Sequence, residues 1–114
     1  MRIIAKGPTT AVIGVEDVLL PTAGPASLAT AGSGDVLAGI LAGTVALAHG
    51  EVDDWGLLTS YAVAVHSCTG YIAASEVGER SVIAPDLIEV IGRAMQILED
   101  EAVKSTDEDA LKEE

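Results

Sequence analysis

There is no phenylalanine among these 114 residues, and one tryptophan with two tyrosines brings the aromatic share to only 3%. A core of large rings is excluded, so Ala, Val, Ile and Leu must fill the interior, and small side chains demand close helix packing. A single cysteine, Cys68, excludes an internal disulfide and fits a reducing compartment; it reads as a small buried apolar residue on a helix. Basic residues are scarce too: six Lys and Arg stand against eighteen Asp and Glu, a formal net charge of −12. Nucleic acid and anionic membrane are thereby excluded as partners, because binding either depends on cations that neutralise phosphates. No charged-then-apolar leader opens the chain, and no apolar run reaches the roughly 18 residues of a membrane span. These absences point to a soluble, cytoplasmic protein with one modest core.

The apolar pattern divides in two. Arg2–Ala5, Ala11–Gly14 and Val18–Leu20 read as short strands, with Val15-Glu16-Asp17 as a turn, and Pro21, Gly24 and Pro25 make the next connection irregular. From Asp35 onward the spacing is helical. A first helix ends at His49-Gly50, where glycine takes the left-handed position and His49 complements the negative pole. Gly39 and Gly43 lie on one face of it, a spacing that predicts close packing against another element. A second helix runs from about Asp54 to Glu76, with Leu57, Leu58, Tyr61, Ala62, Val65, Ile72 and Ala73 as its apolar positions. Gly70 is a weak point in it, and His66 reads as a packed or hydrogen-bonded histidine. A third helix opens at Pro85-Asp86 and buries Leu87, Ile88, Ile91, Met95 and Leu98. Residues 99–114 carry much of the negative charge and little to bury, which predicts a disordered or frayed helical tail.

One stretch carries chemistry. In Thr30-Ala31-Gly32-Ser33-Gly34-Asp35 two glycines and a hydroxyl residue precede a carboxylate at the opening of a helix. The first amides of a helix lack internal partners and carry the positive end of its dipole. Glycines at 32 and 34 allow positive φ and let an anion approach the backbone. A carboxylate inside such a turn would repel phosphate unless it had work there, and taking the proton of an attacking hydroxyl is such work. The plain alternative is a helix cap. Lys6-Gly7-Pro8-Thr9-Thr10 adds a lysine and a hydroxyl beside glycine, suited to phosphate oxygens but equally to a solvated turn.

The run Leu28–Ile40 resembles the signature of the ATP- or ADP-dependent NAD(P)H-hydrate dehydratases, a branch of the ribokinase-like superfamily described in places as carbohydrate kinases. Lys6-Gly7-x-x-Thr10 matches a second motif of that family, whose members carry a histidine near the place of His66. The segment 22–25 departs from it: Ala23 and Pro25 stand where Thr and Asn are usual, so two side-chain hydrogen-bonding groups near the expected nucleotide site are missing. The resemblance runs from about Ile3 to Leu98. It implies an α/β fold, the C-terminal portion of a ribokinase-like domain with short strands followed by three helices. Residues 1–98 would form that partial domain and 99–114 an acidic tail.

The resemblance further implies Asp35 as the catalytic base that also meets the substrate, and Gly32, Ser33 and Gly34 as an anion hole. Lys6, Gly7, Thr10 and Gly34 would bind nucleotide. ATP or ADP with Mg²⁺ would be the co-substrate and hydrated NADH or NADPH the substrate, with no metal held by the protein alone. Two alternatives share the pattern: another ribokinase-like small-molecule kinase, and a non-catalytic piece that associates with its own kind. The isolated chain is expected to be incomplete and inactive, and a strand edge at Arg2–Ala5 would favour a homo-oligomer.

Overall fold

A computed structural model describes the backbone of residues 3–5, 11–13, 18–19, 25–48, 50–51 and 53–112, and the side chains of 25–48, 50–51 and 53–104. The described residues are overwhelmingly helical. Four helices, α1 (Ser33–Ala48), α2 (Trp55–Val77), α3 (Ala84–Glu89) and α4 (Ile91–Lys112), are joined with 3-10 turns at Ala26–Leu28 and Glu79–Ser81.

The α/β expectation is therefore corrected. Among the residues whose side chains are described, the buried core is built from the helices and the turns that join them. Strand pairing is confined to a ribbon of three, three and two residues, β1 (Ile3–Ala5), β2 (Ala11–Ile13) and β3 (Val18–Leu19). It is an antiparallel meander in the order β1-β2-β3, with Ile3 opposite Ile13 and Val12 opposite Leu19. A parallel ribokinase-like sheet needs a crossover of a dozen or more residues between strands, and the connections here are far shorter. Short apolar runs fix extended backbone locally; they do not fix what sheet it joins.

α2 is the central element. Asp54 caps it, its Oδ1 accepting from the Leu57 amide at 3.0 Å, and Gly78 at φ +88 ends it, its amide donating to Ala74 O. Its buried residues fall on most of its circumference, among them Leu58, Ala62, Val65, Thr69, Ile72 and Ala73. Each of the other helices therefore finds an apolar face on α2. The predicted position Leu57 points to solvent instead, 60% exposed. Small side chains take core places: Ala62 and Ala94 are wholly buried, as a closely packed core without Phe requires. Leu87 and Val65 are the largest apolar side chains fully withdrawn from water, each contributing about 1.5–3 kcal/mol.

Gly70 is not the weak point its helix position suggested. A Cβ there would lie 2.7 Å from Pro25 Cγ and 2.8 Å from Leu28 Cδ2, so the bare backbone is the seat of the turn 26–28, whose Ser27 hydroxyl donates to Gly70 O at 2.9 Å.

The predicted third helix is two. Asp86 Oδ2 accepts from the Ile83 amide at 2.9 Å to start α3, and at Val90 (φ −106, ψ 7) the helix breaks before α4 begins. The break resets the buried stripe to Leu87, Val90 and Ala94, leaving Ile91, Met95 and Leu98 half-buried and Ile88 57% exposed. α4 continues as helix to Lys112, with 99–104 exposed. None of the described helices is long and apolar enough to cross a membrane.

Candidate functional site

The turn before α1 is built on one residue with positive φ. Gly32 sits at φ +86, accepts the Val36 amide at 3.1 Å, and lets the Ser33 amide fold back onto Thr30 O at 3.2 Å. Gly34 lies inside the first turn of α1, so of the two glycines only Gly32 supplies the unusual backbone. The amides of Gly34 and Asp35 thus stand at the mouth of the helix, where an α-helix provides no internal partner. Gly34 and Asp35 are both exposed, whereas Ser33 between Gly32 and Gly34 is 2% exposed.

Two elements brace the turn. From α2, the 3%-exposed His66 brings Nε2 to 3.0 Å from Ser33 Oγ and 3.0 Å from Ser33 O. From α3, Ala84 packs so closely that a Cβ on Gly32 would meet its Cβ at 3.2 Å. The hydrogen-bonded reading of His66 holds, and its partner is the residue that opens the candidate site. Sequence reasoning missed that link, because 33 residues separate the two.

Asp35 stands at one end of an open, mostly apolar groove of about 550 Å³. α1 contributes Gly39, Ile40 and Gly43 to its lining, and the opposite wall comes from Ile88, Ile91 and Met95 of α3 and α4. Among the described residues Gly39 and Gly43 do not serve close packing as their spacing predicted: a Cβ at either would meet none of them within 4 Å. They widen the groove instead. Ile88, placed in the buried stripe by its spacing, instead stands 57% exposed on this wall.

On the far side of the turn, Thr30, Ser27, Glu79 and Arg80 line a smaller polar cleft of about 400 Å³. Among the described residues, no three His, Cys, Asp or Glu side chains cluster as metal ligands would. Cys68 is half-buried against the core, and burial pushes its thiol pKa up, the opposite of what a nucleophile needs. Lys6, Gly7 and Thr10, together with His49, lie outside the described residues; Gly50 takes the expected left-handed φ of +75.

No protein-family model and no solved structure matches the chain. Among curated proteins it is 37% identical over 81 residues to the bifunctional NAD(P)H-hydrate repair enzyme Nnr of Moorella thermoacetica. Those residues make up 71% of this chain and 14% of that protein, so the chain spans about a seventh of its relative's length. A braced glycine turn with Asp35 exposed at its end thus belongs to a chain that is similar, over most of its own length, to part of an NAD(P)H-hydrate repair enzyme.

Proposed function

We propose that this chain carries the phosphoryl-transfer part of an ATP- or ADP-dependent NAD(P)H-hydrate dehydratase, a lyase that repairs hydrated NADH or NADPH. The observation that supports the reading best is the position of Asp35: exposed, beside the open amides at the mouth of α1, and on the lining of a mostly apolar groove of about 550 Å³. Residues present fit a phosphate, because Gly32 and Gly34 leave the approach to those amides free of side chains. Mg²⁺ would arrive on the nucleotide's phosphates, which leaves the Asp35 carboxylate free to take a proton.

In this reading the hydroxyl on the hydrated nicotinamide ring attacks the terminal phosphorus, its proton passes to the Asp35 carboxylate, and the bond to the bridging oxygen breaks so that ADP leaves from ATP or AMP from ADP. The amides of Gly34 and Asp35 hold the equatorial oxygens while charge builds on them, already aligned by the braced turn. Phosphate then leaves with the C–O electrons, and loss of a neighbouring ring proton restores the double bond. The apolar groove shields the ring, while Lys6, Gly7 and Thr10 are the remaining nucleotide contacts.

Calorimetric titration of the chain with ATP and with ADP, each with Mg²⁺, tests this. Saturable binding of one of them, lost in Gly34→Val, is the expected outcome; a folded chain that binds neither overturns the reading.

A second reading, a non-catalytic piece that associates with its own kind, is favoured by the same groove standing open, with Leu47 68% and Ile88 57% exposed along it, and by β1 standing at the edge of the described strands. A clean monomer in light scattering that binds nucleotide removes it.

A further inference from the structure

We propose that His66 is the positioning residue of the anion turn: its Nε2–H clamps Ser33 by both the carbonyl and the hydroxyl, and so fixes the direction of the Gly34 and Asp35 amides. This rests on the reading of that turn as an anion site, and adds to it a residue 31 positions beyond Asp35 that contributes nothing to the groove lining.

The geometry selects the role. Ser33 O can only accept a hydrogen bond, so with both Ser33 atoms 3.0 Å from Nε2 the proton sits on Nε2 and is shared between the carbonyl and Oγ. Two contacts to one residue fix its backbone and its χ1 together, which a single bond would not do. The imidazole projects from the middle of the central helix and is buried at 3%, and the backbone that carries it is helical on both sides. A rigid donor is thereby mounted on the best-packed element and aimed at the first residue of α1. Donors for a developing anion act by being fixed beforehand, and a clamp of this kind supplies that.

Three variants, His66→Gln, His66→Ala and Ser33→Ala, test the proposal. Glutamine carries an N–H at nearly the reach of Nε2 without the ring; alanine carries none. The readouts are hydrogen exchange at the Ser33 and Val36 amides, which close the turn onto Thr30 and Gly32, and titration with Mg²⁺–ADP and Mg²⁺–ATP. His66→Ala is expected to speed exchange at those two amides about tenfold beyond any rise at the centre of α2, and to weaken nucleotide binding by a similar factor. His66→Gln should restore both, although it loses the same ring packing. Ser33→Ala, which keeps the carbonyl half of the clamp, should fall between wild type and His66→Ala.

If His66→Ala does not fold, the comparison of His66→Gln and Ser33→Ala with wild type decides. A rise in exchange spread evenly over the helices, or failure of the folded glutamine variant to restore the turn, overturns the clamp. Should wild type bind no nucleotide while exchange follows the expected order, the functional reading falls and the clamp stands. Nucleotide binding untouched in His66→Ala would sink the positioning role alone.

Discussion

At the scale of single residues, Gly32 and Asp35 do different work within one turn. Gly32 holds φ +86 with Ala84 against it. Gly32→Ala would put a side chain into a left-handed conformation costing about 1–2 kcal/mol and press it on Ala84, so the urea midpoint should fall, and binding at the turn should weaken with it. An unchanged midpoint would mean the turn can re-form with another φ. Asp35 is exposed, so Asp35→Asn should leave that midpoint almost unmoved. Its signature is chemical: without the carboxylate, nucleotide affinity should hold or rise, by up to about fivefold for one charge at a helix start, while no hydrated NADH is turned over. A large loss of affinity in Asp35→Asn would contradict its role as a base beside a phosphate.

At the scale of elements, α2 organises the molecule, and Gly70 shows which effect wins when two compete. Replacing a mid-helix glycine by alanine ordinarily gains about 0.5–1 kcal/mol. Here the new methyl would meet Pro25 Cγ at 2.7 Å and Leu28 Cγ at 2.9 Å, and proline's ring has little freedom to give way. Overpacking of that kind costs about 1–3 kcal/mol, and displacing the turn 26–28 also strains the bond from Ser27 Oγ to Gly70 O. Gly70→Ala is therefore expected to lower the thermal midpoint. A rise would show that the turn lifts off α2 without loss. The Arg93–Glu76 ion pair between α4 and α2 is exposed at both ends, so Glu76→Gln should change stability by less than about 1 kcal/mol.

At the scale of the whole molecule, alkaline pH reports on packing. Burial raises the Cys68 thiol above its ordinary 9.0, and burial followed by the Glu99 charge raises the Tyr61 phenol above 10.0. In both cases the unfolded chain gives up its proton first, so above the ordinary value the folded state binds more protons than the unfolded one. The stability linked to these groups is complete below pH 9.0 and is lost as pH rises through their raised folded values. Urea midpoints measured from neutral pH upward should start to fall near 9.0 in wild type, and Cys68→Ala should delay the fall toward 10.0, where Tyr61 remains. An onset unmoved in Cys68→Ala would mean the thiol is as solvated folded as unfolded.

Those features that depend on a few neighbours in the chain were legible in the sequence alone. Gly32 and Gly50 at positive φ, Asp54 as the cap of α2 and the helix opening at Ser33–Asp35 follow from sterics and from orphan amides, which are local. The resemblance to enzymes of NAD(P)H-hydrate repair, also read from contiguous residues, agrees with the similarity of 81 residues of the chain to the repair enzyme of Moorella. Everything that depends on what meets what across the chain was decided by tertiary structure. Short apolar runs suggested an α/β layer, but the described core is helical because α2 offers an apolar face to every other helix. Ile88 came to face outward beside buried Leu87, Gly39 and Gly43 came to line a groove, and His66 met Ser33 over 33 residues. Local patterns fix where a helix starts; only packing fixes which of its faces is covered, and by what.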